Sequence, residues 1–201
     1  MQPLLLASSN PGKLREMLSL LDGTGVQLIT PHQIGLGLVV EETGMTYAEN
    51  AAVKAQAFAH ASGLVSLADD SGLEVDVLGG LPGVRSARFA PQPGATDADR
   101  RAYLLERLRS LPRPWQAHFH CTVALAAPGK PVRFTDGDCF GEIIPDERGS
   151  QGFGYDPIFL IPELGKTMAE LSMEEKNQLS HRARAVLAAV PVLTEMLSAP
   201  G

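Results

Sequence analysis

The feature that most constrains this chain is a short apolar run ending in two adjacent carboxylates. Leu64, Val65, Leu67 and Ala68 lead directly into Asp69 and Asp70. Ser71-Gly72 follow at once, and Gly79, Gly80, Pro82 and Gly83 come soon after. A short apolar run bounded by turn residues reads as a buried strand. Successive side chains of a strand point to opposite faces, so only one of the two aspartates can face a given site. Ser71-Gly72 reads as a turn in which the backbone approaches a ligand with no Cβ in the way. Carboxylates at a strand end beside a tight turn are a common geometry for holding a divalent cation or activating water. An isolated Asp-Asp-Ser-Gly would be an acidic surface turn. The other polar clusters of this chain give the functional reading its weight.

With 201 residues, the chain suits one large domain or two small lobes sharing a sheet. Its formal charge of −6 argues against a binder of nucleic-acid polymers, but leaves room for a small phosphorylated ligand held by a few local cations. Aromatics make up 5% of the residues, so aliphatic and alanine packing must fill most of the interior. Cys121 and Cys139 lie in apolar strand-like runs without zinc-ligand spacing, and read as buried reduced thiols of a cytoplasmic protein. The opening MQPLLLASSNPGK has no basic region, and its apolar run is too short for a signal peptide or a membrane span.

Along the chain, Pro3 to Ala7 reads as a first buried strand. The polar segment Ser8-Ser9-Asn10-Pro11-Gly12-Lys13 follows, then a helix from about Lys13 to Leu21 with Leu14, Met17, Leu18 and Leu21 as its stripe. A strand, a polar loop and a helix beginning near a lysine is the layout of an anion-binding turn. The P-loop pattern is absent. Taken alone, a capped helix with a surface lysine is the better explanation of the segment. Val26 to Thr30 and Leu38 to Val40 read as short strands, the second delivering Glu41 and Glu42 at its end. Thr46 and Glu49 form a capping box that opens an alanine-rich helix from about Tyr47 to Ala61. Lys54 lies in its middle, where a lysine is a ligand only if an anionic site is near.

Thr96-Asp97 open a helix to about Leu111, with leucines on one side and arginines as a solvated face on the other. Trp115 to Ala126 alternates as a strand with a wetter face carrying His118 and His120, and returns through a turn into Val132 to Ile144. Gly149 to Pro157, GSQGFGYDP, presents Phe153, Tyr155 and Asp156 on a backbone able to bend sharply. A planar base can stack on Phe153 while Asp156 reads its polar edge. Ile158 to Ile161 reads as the final strand. A break near Ser180 separates two C-terminal helices and places His181 and Arg182 in the first turn of the second. Cations there oppose the helix dipole unless an anion is near, which points to a phosphate. Pro191 is expected to kink or interrupt the last helix.

These blocks together resemble the inosine triphosphate pyrophosphatases, also called XTP/dITP diphosphatases. The matching residues are Ser8 to Lys13, Glu41 to Lys54, Ala68 to Ala90, Gly152 to Pro157 and Gly165 to Arg182, in the family's order and spanning nearly the whole chain. The resemblance implies a single pyrophosphatase domain over 1–201, an α/β fold in which helices flank a mixed, twisted central sheet, with two lobes and a cleft between them. It implies a homodimeric, Mg²⁺-dependent hydrolase converting ITP, dITP and XTP to the monophosphate and pyrophosphate, with no membrane or nucleic-acid partner. Carried over, Ser8, Ser9, Asn10, Pro11, Gly12 and Lys13 look like the triphosphate loop and Lys54 like a phosphate ligand. Asp70 looks like the base that activates water. Glu41, Glu42, Asp69 and Asp70 look like the metal carboxylates, and Ser71 looks like a substrate contact. Phe153, Gly154, Tyr155, Asp156, Lys176, His181 and Arg182 look like contacts to the base and its surroundings.

On that reading, His181 and Arg182 donate to the 6-keto oxygen, where adenine's amino group would leave them unpaired. Arg85 and Phe89 stand where tyrosines are expected, and Ser8 where threonine is common. Two competing readings are a pyrophosphatase for other modified nucleotides, similar to the Maf enzymes, and a catalytically silent nucleotide-sensing module.

Overall fold

The structure, a computed structural model, describes residues 3–198. Seven strands form one mixed sheet in the order β2-β1-β3-β4-β5-β6-β7. They are β1 (Leu4–Leu6), β2 (Leu28–Ile29), β3 (Val65–Val75), β4 (Trp115–Ala126), β5 (Arg133–Ile143), β6 (Phe159–Ile161) and β7 (Lys166–Thr167). β1 pairs parallel with β2 and β3, whereas β5/β6 and β6/β7 are antiparallel. The helices are α1 (Pro11–Leu21), α2 (Tyr47–Ser62), α3 (Asp97–Leu108), α4 (Met173–Leu179) and α5 (His181–Ser198). No helix among the described residues is long and apolar enough to cross a membrane.

The chain folds as two compact units. One comprises the chain up to Asp70, Cys121–Gly137 and the chain from His181 on; the other comprises Ser71–His120 and Asp138–Ser180. In the first unit, strand alternation sorts side chains onto two cores. Leu4, Leu6, Val65, Leu67, Cys121, Val123 and Leu125 pack against Met17, Leu20 and Leu21 of α1 and Ala183, Val186, Ala189 and Leu193 of α5. Their neighbours Leu5, Ala7, Ala68, Ala124 and Ala126 face α2, whose Ala51, Ala55 and Ala59 repeat every fourth residue and let helix and sheet approach closely. The second unit has one core, built from Leu73, Val75, Leu104, Leu108, Trp115, Phe119, Tyr155 and Phe159 among others.

Several sequence expectations change here. β3 does not turn at Ser71-Gly72 but runs on to Val75, because the apolar alternation resumes at Leu73 and Val75, both fully buried. Leu38 to Val40 forms no strand: Leu36, Leu38 and Val40 pack on the α2 core while Val39 is 90% exposed. β7 follows the strand expected to be the last. The break between α4 and α5 falls at Ser180, as the sequence indicates, with its backbone extended. α5 continues through Pro191, so the proline does not interrupt the helix. The hydrogen bond that proline forfeits belongs to the carbonyl of Leu187, a residue 48% exposed.

Candidate active site

β3 delivers the two aspartates to opposite faces, and the first unit treats them differently. Asp69 shares a face with Val65 and Leu67, toward α1 and α5. Its Oδ2 lies 3.1 Å from Lys13 Nζ, accepts from Arg182 Nε at 3.1 Å, and takes a weak contact from the Cys121 thiol at 3.8 Å. Burial opposes its ionisation, yet Lys13, Arg182 and Lys54 outweigh that and hold its carboxyl well below the usual range. Arg182 is itself 2% exposed and donates through Nη1 to Glu16 of α1, also buried. The cation in the first turn of α5 is therefore matched by two of the protein's own carboxylates.

Asp70 faces α2. Its Oδ2 accepts from Asn50 Nδ2 at 3.0 Å, and Asn50 is fixed in turn because its Oδ1 accepts from the Gly44 amide at 2.8 Å. A Cβ on Gly44 would stand 2.7 Å from that Asn50 oxygen. Burial raises Asp70's pKa above the usual carboxylate value; Lys13, Lys54 and Asn50 counter it, and the Glu42 charge adds to the rise. Lys54 reaches this region from α2, donating to Glu42 Oε1 at 2.7 Å and to the Asp69 carbonyl. Burial works against its charge, but Asp69 and Glu42 hold its pKa above the ordinary lysine value. So Lys54 lies in acidic surroundings and is bonded to the protein's own Glu42 and Asp69 carbonyl.

In the Ser8–Lys13 segment, Asn10 caps α1. Its Oδ1 accepts from the Gly12 and Lys13 amides, and its own amide donates to Ser8 Oγ at 3.2 Å. Pro11 takes the first helical position, which needs no amide donor. The capping carboxamide holds the place an anion would take, while Ser9, Asn10 and Pro11 are exposed.

In the second unit, Asp156 Oδ2 accepts from the Phe153 amide at 3.0 Å and from Lys176 Nζ at 2.8 Å, the lysine of α4 being 5% exposed. That ammonium stands 5.9 Å from the Phe153 ring centroid. Gly152 has φ +78°, and a Cβ there would fall 2.0 Å from Asp156 Oδ2, so only glycine leaves room for the ion pair. Tyr155 differs from the sequence expectation of a presented aromatic: it is 4% exposed in the core, with its hydroxyl donating to the Ser86 carbonyl at 2.9 Å. Ser71 is half-buried. His181 is buried at the start of α5 in the first unit.

The four acidic residues assigned to a metal are not gathered into a cage. Among the described residues, no group of three or more His, Cys, Asp or Glu side chains converges to hold an ion. Glu42 is engaged by Lys54, and Glu41 is exposed. Mg²⁺ asks for less, since one or two carboxylates, waters and substrate phosphates suffice. Asp69 Oδ1 is a buried oxygen with no hydrogen-bond partner, and Asp70's raised pKa is the kind of shift a nearby cation reverses. The residues therefore fit a metal completed by its substrate.

A family model described as the Ham1 family matches residues 4–192. The chain belongs to the Ham1 family. A curated relative from Gloeobacter violaceus, named dITP/XTP pyrophosphatase, is 50% identical over 188 residues, covering 92% of this chain and 91% of the relative. A protein of the same name from Desulforamulus reducens is 44% identical over 194 residues, or 96% of each chain. The structure of a HAM1 protein from Coxiella burnetii superposes with a TM-score of 0.87 at 42% identity, over 97% of this chain and all of that one.

Some residues of this Ham1 chain carry structural roles its sequence conceals. Glu16 lies with Met17 and Leu20 on the buried side of α1, outside the stripe expected from the sequence, whose Leu18 is 39% exposed. Asn50 had no local signal, because its role depends on Gly44 and Asp70. Arg100 and Arg101, expected to be solvated, are both bonded. Arg100 donates to Asp97 and to the Ala95 carbonyl, and Arg101 to Glu147 and the Gly154 carbonyl. Of the departures from the family pattern, Phe89 packs edge-on against Tyr103 at 5.2 Å and Arg85 is exposed.

Proposed function

We infer that this chain hydrolyses deaminated-purine nucleoside triphosphates, dITP, XTP and ITP, to the nucleoside monophosphate and pyrophosphate. The observation that carries the chemistry is Asp70, a buried carboxylate of raised pKa oriented by Asn50, with Lys13 and Lys54 held close by neighbouring acids. The substrate class is that of the named relatives. The match runs through both units, as one catalytic domain requires.

Asp70 takes a proton from the attacking water; the water oxygen bonds to phosphorus as the bond between the α and β phosphates breaks. A base with a pKa lifted toward neutrality is better matched to that transfer than an ordinary aspartate. Lys13, Lys54 and the hydroxyls of Ser8 and Ser9 bind the triphosphate, whose charge of about −4 calls for converging cations. Asn10, Pro11 and Gly12 shape that loop, and Ser71 contacts substrate. Asp70 with Glu41, Glu42 or Asp69 would hold Mg²⁺, which would supply Lewis-acid polarisation and offset charge on the leaving pyrophosphate. Phe153, Gly154, Asp156, Lys176 and His181 serve the base, with Tyr155 fixing the loop from the core. Arg182 acts through Asp69, to which its guanidinium is committed. Two free, buried cysteines support a cytoplasmic setting, and we take the working form as a homodimer.

Pyrophosphate release from ITP, XTP, dITP, GTP, ATP and dTTP with Mg²⁺, for wild type and Asp70→Asn, tests this reading. Cleavage of the first three alone, lost in the variant, is expected. Equal cleavage of all six would overturn the specificity. Binding of ITP without cleavage would make the chain a sensor.

A further inference from the structure

The loop credited above with holding the purine is bonded on both sides of Phe153. Gly149, Gly152 and Gly154 all sit at positive φ, a conformation that glycine adopts most readily. A stacking residue that wanders discriminates poorly, because the cost of ordering it on binding offsets what the correct base gains. Something must fix Phe153, and the second unit contains it.

On one side, the Phe153 amide donates to Asp156 Oδ2 at 3.0 Å, and its carbonyl accepts from the Asp156 amide at 3.2 Å. On the other side, both polar groups of Gly154 are held by α3. Its amide donates to Asp97 Oδ2 at 2.8 Å, and its carbonyl accepts from Arg101 Nη1 at 2.8 Å. Both holders are braced. Asp97 is engaged by Arg100, whose other terminal nitrogen donates to the Ala95 carbonyl at 2.6 Å. Arg101 grips Glu147 in a two-pronged pair at 2.8 and 2.9 Å. Burial opposes Asp97's ionisation, but the Gly154 amide and Arg100 lower its pKa, so its charge is present at neutral pH. Charge-assisted bonds of this kind are roughly twice as strong as neutral ones.

We propose that Asp97 and Arg101 are positioning residues that set purine specificity by clamping the Gly154 peptide groups and thereby fixing Phe153. The proposal rests on the reading that Phe153 meets the base. Neither residue touches the substrate. Their effect is preorganisation, which lowers the ordering cost of binding and sharpens the difference between correct and incorrect bases.

The test uses the full chain with Asp97→Ala, Arg101→Met, Asp97→Asn and Phe153→Ala. Asp99→Ala is the control, an acid of the same helical turn that bonds Thr96 and not the loop. Hydrogen exchange at the Gly154 amide is read beside kcat and KM for dITP and dGTP. Asp97→Ala and Arg101→Met should speed that exchange about tenfold or more, raise KM for dITP about tenfold with kcat within about threefold, and lower the preference for dITP over dGTP at least about fivefold. Asp97→Asn, which keeps an acceptor, should restore most of each. Unchanged exchange at Gly154 overturns the clamp. Faster exchange with unaltered KM and preference overturns its role in specificity, and an equal loss in Asp99→Ala reduces it to helix stability. If Phe153→Ala alters KM and preference while the α3 variants do not, the proposal alone fails. If Phe153→Ala changes neither, the base-stacking reading falls and the proposal with it.

Discussion

Asp69 and Asp70 are chemically identical and covalently adjacent, yet the fold gives them opposite electrostatics. Asp69's native pKa lies below its unfolded value, so its contribution to stability is complete above the ordinary carboxylate range and is lost as pH falls toward the depressed value. Between about pH 7 and pH 3 in metal-free buffer, the melting temperature of Asp69→Asn should start lower than wild type and fall less steeply. Asp70 has the reverse sign. Its native pKa is raised, so above that value the ionised carboxylate costs stability that the unfolded chain does not lose. Asp70→Asn in metal-free buffer should melt at or above the wild-type temperature while turnover falls by about 10³-fold, a trade of stability for function. Glu16→Gln should lower stability by about 3 kcal/mol, read from the urea midpoint, because it strips one of two carboxylates from a buried guanidinium. The two faces of β3 are legible from alternation alone, whereas the proposed choice of Asp70 as base comes from the family resemblance. Arg182's partners are not, because Glu16 lies 166 residues away in sequence and no local pattern links them.

At the scale of elements, sequence signals work where they are periodic or capped. α2 opens at Tyr47 after its Thr46–Glu49 capping box, and β4 spans Trp115–Ala126, both as read from the chain. They fail where a residue type has two uses. Ser71-Gly72 looks like a turn but lies within an eleven-residue strand, since the tertiary demand for Leu73 and Val75 in the next core outweighs local propensity. Leu38 to Val40 has the composition of a strand and no neighbour to pair with. Ser8 to Lys13 is read correctly as a polar loop before a capped helix, but the sequence does not single out Asn10 as the cap. The Gly44 contact gives a prediction at this scale. Gly44→Ala would drive a methyl into Asn50 Oδ1, costing about 1–3 kcal/mol in thermal or urea unfolding. Because Asn50 orients Asp70, kcat should fall more than KM rises, which steady-state assays would read.

At the scale of the molecule, neither unit is a continuous stretch of chain: the first is assembled from three segments and the second from two. Fold class and family are visible in the sequence because they rest on motif order and alternation, whereas the bracing between distant segments is not. α5 belongs to the first unit and supplies a large part of one core. A chain ending before His181 should therefore leave the first unit unfolded, shown by lost chemical-shift dispersion and rapid proteolysis of β1 to β3. The same dependence fixes an order of events during synthesis. Glu16 and Asp69 leave the ribosome long before Arg182, and burying two carboxylates without their guanidinium is strongly unfavourable. The nascent first unit must stay open until α5 emerges, so a chain short of α5 is the form a chaperone would meet.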